Sequence, residues 1–496
     1  MKSVAYKFEG KLMTIWRETI CTVFLLAVVA PASLGKVYVS WTQSSLPSPT
    51  VLGVSDLVIP WDDEAKGLVE AAKKQGYRVF LEVKLEEGPA AAEAASTAGI
   101  QGIVLKAEPS DASLLEQRVD KLRSNYPKLK FLVLDPGGRQ PQLRGWLVFK
   151  KDGILQVSSP TSQPWLDANL AMIRHERAFQ PAQPPLYTFS WDLSDEVVKE
   201  QGPSTADYSL AVAEAGAFHA DLLLEVHPRQ QKGLATGDKD TLANWTEVKR
   251  TIDFYAQANP QAQEAPARVA VLTNDYDSSY EAINLMARHN IPYRVLHSAE
   301  VKAPDLLGFD VLIAFAPPNQ ELTVHIRDFA ERGGVAVLVN VPGTYSWDSS
   351  APQKTSPHSV SYTVGKGRVI ELDEAVTDPE TFARDVRRLM VKERVPVSLW
   401  NSLTTLVTAY PGPNPGELIV ELINYDQELT QVQVQVRGNF SAVTLETPER
   451  GCCETLKASQ VDGFTEFVVP DVFIGARVHL QGSPASSAQA QVNPKP

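Results

Sequence analysis

The sequence has few cysteines and no long run of basic residues. Three cysteines occur among 496 residues, and two of them, Cys452 and Cys453, are neighbours. No disulfide framework therefore stabilises the protein, although free thiols, a bridge between the two neighbours and intermolecular pairing all remain open. Lys and Arg number 47 against 59 Asp and Glu, which gives a formal net charge of −12. This balance argues against nucleic acid as a partner, because phosphate binding requires clustered positive charge.

Several catalytic motifs are also missing. His175 is followed by Glu176, but no second histidine stands four residues further on, so there is no zinc-protease motif. No Gly-x-Ser-x-Gly elbow occurs, and GKGR at 365–368 lacks the spacing of a phosphate-binding loop. The histidines are scattered along the chain. We therefore predict neither a metal site nor a cofactor.

The N-terminus is typical of an export signal. Basic residues precede the apolar run Ile20–Ala30, and Ala30-Pro31-Ala32 provides small residues for cleavage. We predict a signal peptide over residues 1–32, with Met13 as an alternative start, and hence a secreted or periplasmic protein. The apolar run is short for a membrane span, so the membrane becomes a partner only if this segment stays uncleaved as an anchor.

Residues 33–260 are predicted to form a (β/α)8 barrel. Eight short apolar runs, rich in β-branched and aromatic residues, alternate with helix-like segments that open on Asp or close before Gly. Eight strands with their helices in this length fit a barrel, and a doubly wound sheet is the alternative. One section departs from the pattern, because WLVFKKDGILQVSS indicates a hairpin around Lys151-Asp152-Gly153.

Three further regions follow. Residues 266–394 repeat the strand and helix pattern over a shorter length and predict a flavodoxin-like α/β domain. This stretch has no cysteine, which excludes the thiol nucleophile of amidotransferases with a similar layout. Residues 395–482 alternate apolar and polar side chains with turn residues between the runs, which predicts a β-sandwich. Residues 483–496 are predicted to be a disordered tail.

Carboxylates stand where predicted barrel strands end, the position at which barrel enzymes keep their functional side chains. The four candidates are Glu108, Asp135, Asp192 and Glu225. Each has a structural alternative: a helix cap for Asp192, as for Asp62 and Asp63, a solvated strand end for Glu108 and Asp135, and an ion pair with Lys106 or Arg229 for Glu225. Glycosidic cleavage requires two such groups facing one bond.

Tryptophans occupy similar places. Four are candidates for binding a sugar, because an indole at a pocket rim stacks on the apolar face of a sugar ring: Trp41, Trp61, Trp146 and Trp191. The alternative for each is that it covers the end of the barrel as part of the core.

The whole arrangement resembles the multidomain glycoside hydrolases related to three-domain β-galactosidases. The resemblance is carried by RVAVLTNDYDSSYEAINLMARHNIPYRVL, FAERGGVAVLVN and GKGRVIEL, and by LIVELINYDQE with ETPE in the last region. It implies a trimerisation-like middle domain and a homo-oligomer. In retaining barrel enzymes the acid follows the fourth strand, usually after an asparagine, and a glutamate nucleophile follows the seventh. Glu108 and Asp192 hold those places here, but Ala107 replaces the asparagine and Asp192 replaces the glutamate.

These observations favour an exported glycoside hydrolase-like enzyme that acts on a poly- or oligosaccharide. Glu108 is the expected general acid, and Asp192 or Glu225 the nucleophile or base. The alternatives are a non-catalytic carbohydrate-binding or assembly protein with a degenerate barrel, and a scaffold that acts through its β-sandwich.

Overall fold

The structure, a computed structural model, describes most of the chain between residues 35 and 482. The described ranges are 35–62, 65–106, 114–134, 144–145, 150–151, 154–155, 168–181, 184–189, 202–256, 266–402, 404–426 and 428–482. The predicted signal peptide and the predicted tail lie outside them. Among the residues in these ranges, no helix has both the length and the apolar character needed to cross a membrane.

The first region is a parallel sheet that curls into a nearly closed barrel. Its strands are β1 (Val37–Ser40), β2 (Asp56–Pro60), β3 (Arg78–Lys84), β4 (Gly102–Lys106), β5 (Lys130–Leu134), β6 (Arg144–Gly145), β9 (Leu186–Phe189) and β10 (Asp221–Glu225). Helices between and after them span Pro49–Leu52, Ala65–Lys74, Gly88–Ala98, Leu115–Asn125, Leu170–Phe179, Thr205–Ala217, Pro228–Thr236 and Lys239–Ala256, and a 3-10 turn spans Leu85–Glu87.

The strand order confirms the barrel. Hydrogen bonds join the described strands in the order β5-β4-β3-β2-β1-β10-β9-β6, and each neighbouring pair is parallel. Strands β1 to β5 therefore lie side by side in sequence order, and β10 and β9 continue the sheet on the other side of β1. β5 contacts β9 across the remaining opening. A doubly wound sheet would reverse its order at a switch point, so that alternative is wrong.

Alternation along each strand separates two apolar layers. One set of inward side chains fills the barrel: Tyr38, Val58, Phe80, Val104, Leu132, Leu134, Leu186 and Leu223. Their sequence neighbours, such as Val39 and Leu81, pack outward in the helix-covered core. Both faces are apolar, as a buried parallel sheet requires. Gly102 shows how tightly the strands approach, because a Cβ there would lie 2.2 Å from the backbone oxygen of Lys130.

The irregular section is the predicted hairpin. β7 (Lys150–Lys151) pairs with β8 (Ile154–Leu155) in antiparallel register. The paired residues Lys151 and Ile154 stand on either side of Asp152 and Gly153, which lie outside the described residues. The structure therefore confirms a hairpin here in place of a strand-helix unit.

The second region has the predicted flavodoxin-like order. Its strands are β11 (Val269–Thr273), β12 (Tyr293–His297), β13 (Val311–Ala314), β14 (Val335–Val339), β15 (Gln353–Ser356), β16 (Ser359–Val364) and β17 (Gly367–Leu372), and its helices are Tyr280–Arg288, Gln320–Glu331 and Pro379–Leu389, with 3-10 turns at Ala303–Leu306, Ser346–Ser349 and Lys392–Arg394. The sheet order is β12-β11-β13-β14-β17-β16-β15. The first five strands are parallel, and β16 and β15 extend the sheet in antiparallel fashion.

The third region is the predicted β-sandwich. Its strands are β18 (Val397–Leu399), β19 (Thr405–Pro411), β20 (Glu417–Asn424), β21 (Thr430–Arg437), β22 (Phe440–Thr447), β23 (Gly451–Thr455), β24 (Ala458–Val461), β25 (Phe464–Val472) and β26 (Gly475–Gly482). They form two sheets, β18-β21-β25-β24 and β19-β20-β26-β22-β23. The inward valines of β21 illustrate the alternation, since Val432, Val434 and Val436 are all buried in the core between the sheets.

Buried polar contacts join the three regions. Tyr425 donates to Glu214 Oε1 at 2.5 Å, and the same carboxylate accepts two hydrogen bonds from Asn169. Asn290 of the α/β region donates to the Thr405 carbonyl and accepts from the Val407 amide. The described residues of the three regions accordingly pack as one compact unit.

Candidate functional site

The carboxyl end of the barrel carries polar side chains on its inner face. Successive side chains of a strand point to opposite faces of the sheet. The residue two positions after an inward apolar residue therefore also faces the barrel interior. These positions are Ser40, Pro60, Glu82, Lys106, Thr188 and Glu225. The edge formed by the carboxyl ends of the strands is where barrel enzymes assemble their sites. The candidate site is therefore this mouth of the barrel.

Glu82 and Lys106 form an ion pair at the mouth. Glu82 lies on β3 and Lys106 at the end of the neighbouring β4, and their Oε1 and Nζ atoms are 2.7 Å apart. The Glu82 side chain is 11% exposed and that of Lys106 is 48% exposed. A carboxylate that is largely removed from water is thus neutralised by a cation that reaches solvent. Sequence reasoning did not select Glu82, although its alternation with Phe80 in YRVFLEVKL could have shown that it faces inward.

Glu225 ends β10 and is half-buried. Its Cα is the register partner of Ser40 on β1, so the two residues stand side by side at the mouth. Side chains alternate along β10, so Glu225 faces the barrel interior, as Leu223 does two residues before it. Of the four predicted carboxylates, Glu225 lies within the described residues and occupies the strand-end position that was expected of it.

The loops that leave β1 and β10 are held together by the buried side chain of Gln231. Its Oε1 accepts hydrogen bonds from the backbone amides of Thr42 at 2.9 Å and Gln43 at 3.2 Å. Its Nε2 donates to the Val226 carbonyl at 2.7 Å. The segments following Ser40 and Glu225 are therefore fixed relative to each other, which preorganises this side of the mouth.

Of the four predicted tryptophans, the two that lie within the described residues differ. Trp41 is 0% exposed, and its indole N–H donates to the carbonyls of Gln43 and Ser45, both at 3.0 Å. With no face open to solvent, Trp41 belongs to the core, and its predicted role as a sugar platform is corrected. Trp61 is 39% exposed directly after β2, and its backbone amide donates to the Glu82 carbonyl at 2.9 Å. It stays a candidate rim residue beside Glu82.

The remaining predicted site residues lie outside the described residues. They are Glu108, Asp135, Asp192, Trp146 and Trp191. Their predicted roles stay predictions. Asp62, for which a helix cap was the structural alternative, accepts a hydrogen bond from the Ala65 amide at 2.8 Å, where the helix Ala65–Lys74 begins. Asp62 is thus a capping residue.

The amino end of the barrel holds a different set of charges. Asp56 is buried and bonded to Arg78 at 2.9 and 2.6 Å and to Lys36 at 2.9 Å. Asp221, also buried, accepts from the Lys36 amide at 3.0 Å. Burial raises the pKa of Asp221 to about 6, although that hydrogen bond and the nearby Lys130 and Lys36 act in the opposite direction. Lys130 donates to the Tyr38 hydroxyl at 2.9 Å, and burial lowers its pKa.

One group of metal-ligating side chains occurs in the part of the chain that the structure describes. Glu446, Cys452 and Cys453 place ligand atoms within 4.8 Å of one another on the β-sandwich. The sulfur atoms of the two cysteines are in contact, which agrees with the bridge between neighbours that the sequence left open.

Comparison with solved structures shows the fold of glycoside hydrolases. Alpha-L-fucosidase isoenzyme 2 from Paenibacillus thiaminolyticus is 11% identical, covers 90% of this chain and 99% of its own, and superposes with a TM-score of 0.58. A beta-galactosidase from Rahnella sp. R3 is 9% identical, with 87% and 94% covered and a TM-score of 0.48. One from Bacillus circulans is 10% identical, with 90% and 99% covered and a TM-score of 0.47. No protein-family model and no curated protein sequence matches the chain.

At this identity the fucosidase likeness shows the fold alone, and it does so over nearly the whole of both chains. The resemblance to multidomain glycoside hydrolases is therefore confirmed as a likeness of fold. Function has to be argued from the site.

Proposed function

We propose that the protein is an exported glycoside hydrolase that acts on a poly- or oligosaccharide with carboxylates at the barrel mouth. The observation that carries this proposal is the inward-facing, half-buried Glu225 at the carboxyl end of β10, in a barrel with the fold of glycoside hydrolases. The carboxyl ends of barrel strands are where barrel enzymes place their functional side chains. Glycosidic cleavage requires carboxylates at such a position.

Glu108 is the proposed general acid, because it follows the fourth barrel strand. It would protonate the glycosidic oxygen as the bond to the anomeric carbon breaks, and it needs a raised pKa to hold that proton near neutral pH. Glu225 or Asp192 would act on the opposite side of the bond, either attacking the anomeric carbon or removing a proton from the attacking water. Asp135 is a further candidate for either carboxylate role.

Trp61 is the proposed platform for the sugar ring. It is partly exposed next to Glu82, and an indole face contacts the C–H groups of a sugar ring while its N–H reaches a hydroxyl group. Trp146 and Trp191 are proposed to extend this surface. Export through residues 1–32 would place the enzyme in the extracytoplasmic space, where polysaccharides occur, and a homo-oligomer is proposed from the resemblance alone.

One observation favours the alternative, a carbohydrate-binding protein whose barrel has lost catalysis. Glu82, a described carboxylate at the mouth, is paired with Lys106. A nearby cation favours the ionised form of a carboxylate, and an ionised carboxylate does not donate a proton. A barrel in which every mouth carboxylate is paired in this way would lack the general acid and would bind sugars without cleaving them.

The two functions are separated by assaying hydrolysis on aryl glycosides and on a set of oligo- and polysaccharides. We expect the unmodified protein to hydrolyse at least one substrate, and Glu108→Gln to lower kcat/KM by about 10² to 10⁴. Glu70→Gln, an exposed position on the helix Ala65–Lys74, is the matched control and should leave the rate unchanged. Binding without hydrolysis by the unmodified protein would support the alternative.

A further inference from the structure

A cleft lies between the α/β region and the β-sandwich, at a distance in the sequence from every predicted site residue. Its volume is about 250 Å³. The lining comprises Asn290, Arg387, Met390, Lys392, Val395, Ser398, Trp400 and Gln435. An aromatic ring, two cations and two amides thus share one opening.

Trp400 is the most unusual member of this lining. Its side chain is 65% exposed, whereas Trp41, Trp245 and Trp347 are all buried. Trp400 follows the edge strand β18, and its backbone amide donates to the Gln433 carbonyl at 3.2 Å, so the main chain is fixed while the ring faces solvent. A large exposed indole at a cleft is characteristic of a binding surface.

The walls of the cleft are rigid with respect to each other. On one side, Asn290 bonds to the backbone of β19 through both its amide nitrogen and its oxygen, at 3.0 and 2.8 Å. On the other, the turn that carries Lys392 is anchored by Asp310, which accepts from the Val391 amide at 3.3 Å and from Arg394 at 2.5 Å. Because the walls are already fixed, little conformational entropy is lost when a ligand binds, and this favours affinity.

The charge of the cleft is opposite to that of the protein as a whole. Arg387 and Lys392 line it in a chain with a formal net charge of −12. Their basic neighbours on the same segment are committed elsewhere, because Arg384 pairs with Glu380, Arg388 with Asp385 and Arg394 with Asp310. Within the described residues, Arg387 and Lys392 have no carboxylate within salt-bridge distance. They are therefore free to bind an anion.

The Gln435 side chain adds a hydrogen-bond acceptor to the lining of the cleft. Its Nε2 donates to Glu466 Oε1 at 2.8 Å, which fixes the amide and leaves its oxygen to accept from a hydroxyl group. A ligand that satisfies the lining needs an apolar ring face for Trp400, an anionic group for the two cations and a hydroxyl for Gln435. A sugar with a carboxylate or sulfate substituent has all three.

We propose that this cleft, defined by Arg387, Lys392, Trp400 and Gln435, is a second binding site that takes one residue of an anionic saccharide. The choice of a saccharide over other anionic ring compounds rests on the proposed function. The site itself is independent of the barrel mouth, and it would hold an acidic glycan chain while another part of the chain reaches the barrel.

Isothermal titration calorimetry tests whether the cleft binds an anionic saccharide. The titrations use the Glu225→Gln variant as the background protein, so that binding is measured whether or not the barrel hydrolyses the ligand. The probes are a uronic acid oligosaccharide, its carboxyl-reduced neutral form and a sulfated oligosaccharide. We expect one or both anionic probes to bind and the neutral form to bind at least about tenfold more weakly. Affinity should also fall as salt rises.

Variants locate the site. Trp400→Ala should weaken binding about three- to tenfold, and Arg387→Gln combined with Lys392→Gln should weaken the anionic probes to the level of the neutral one. Arg388→Gln, an exposed arginine on the same helix that pairs with Asp385, is the matched control and should bind like the background protein.

Three results would overturn the proposal. The first is that no saccharide probe binds, and the second is that binding is unchanged in the Trp400 and double cation variants. The third is a mass that rises with concentration in light scattering and returns to that of the monomer in Trp400→Ala, since the surface would then bind a second copy. Failure of hydrolysis at the barrel, with probe binding intact, would refute the proposed function and leave this site standing.

Discussion

The two ends of the barrel both carry charged side chains on the inner face, but in different surroundings. At the amino end, Asp56 and Asp221 are buried among Lys36, Arg78 and Lys130, and each carboxylate accepts hydrogen bonds. Each buried carboxylate there is satisfied by partners on neighbouring segments, although the Arg78 side chain is itself 51% exposed. Such an arrangement holds the strands in place.

At the carboxyl end, the largely buried Glu82 pairs with Lys106, and Glu225 is half-buried. Trp61 is partly exposed at the same end. The same strand, β10, contributes Asp221 to one end and Glu225 to the other, both on the inner face. The comparison indicates that inward carboxylates are fully buried at the amino end and partly exposed at the carboxyl end, where barrel enzymes assemble their sites.

The largest effect on stability is expected for Trp41→Ala. The ring is fully buried below the mouth and makes two hydrogen bonds to the loop after β1, so its removal leaves a cavity and two unsatisfied carbonyls. We expect the free energy of unfolding to fall by about 3 to 5 kcal/mol, measured by urea denaturation. A loss below about 1 kcal/mol together with weaker glycan binding would return Trp41 to the rim of the site.

A smaller loss is expected for Asp56→Asn at the amino end. The change removes the charge that holds Arg78 and Lys36, and we expect the free energy of unfolding to fall by about 1 to 3 kcal/mol. Asp253→Asn is the matched control, because Asp253 pairs with Lys249 on an exposed helix surface and should change stability by less than about 0.5 kcal/mol. Equal effects of the two substitutions would contradict a structural role for the amino-end network.

Asp221 predicts a pH dependence. Its pKa is about 6 in the folded protein, whereas an unfolded aspartate titrates near about 4. Between these values the folded chain holds a proton that the unfolded chain has released, so this group makes the free energy of unfolding decrease as pH rises from about 4 to 6. Asp221→Asn removes the titration and should flatten that part of the Tm profile relative to the unmodified protein. Parallel profiles of the two proteins would show that Asp221 does not titrate in this range.

The smallest effect on stability is expected for Trp61→Ala. A side chain that is 39% exposed contributes little to the core, and we expect a change below about 0.5 kcal/mol in the free energy of unfolding. If Trp61 contacts the sugar, KM should rise about three- to tenfold while kcat changes less. Unchanged KM would remove Trp61 from the site.

Much of the architecture follows from local sequence pattern. The apolar runs VYVS and DLLLEV became β1 and β10, and the alternating run TQVQVQVRG became β21 of the sandwich, because side-chain periodicity records which faces are buried. The antiparallel pair on either side of Asp152-Gly153 was predicted as well. The strand pair β15 and β16 was not predicted, since SYTV and its neighbours are short and largely polar.

The site was less predictable because it depends on residues far apart in the sequence. Trp41 was expected at the rim, but its indole bonds to the loop that follows it, a contact that no periodicity reveals. Gln231 ties that loop to the end of β10 from almost two hundred residues away. Glu82 was overlooked because a charged residue inside an apolar run gives no sign of which partner, here Lys106, it meets on the next strand.

The most direct test compares two substitutions on one strand, Glu225→Gln and Asp221→Asn, in hydrolysis and in thermal unfolding. The account predicts that Glu225→Gln lowers kcat/KM by at least about 100-fold with little change in Tm. Asp221→Asn should change the pH dependence of Tm and leave kcat/KM within about threefold of the unmodified protein. Full hydrolysis by Glu225→Gln, or an equal loss of activity in both variants, would contradict the assignment of chemistry to the carboxyl end of the barrel.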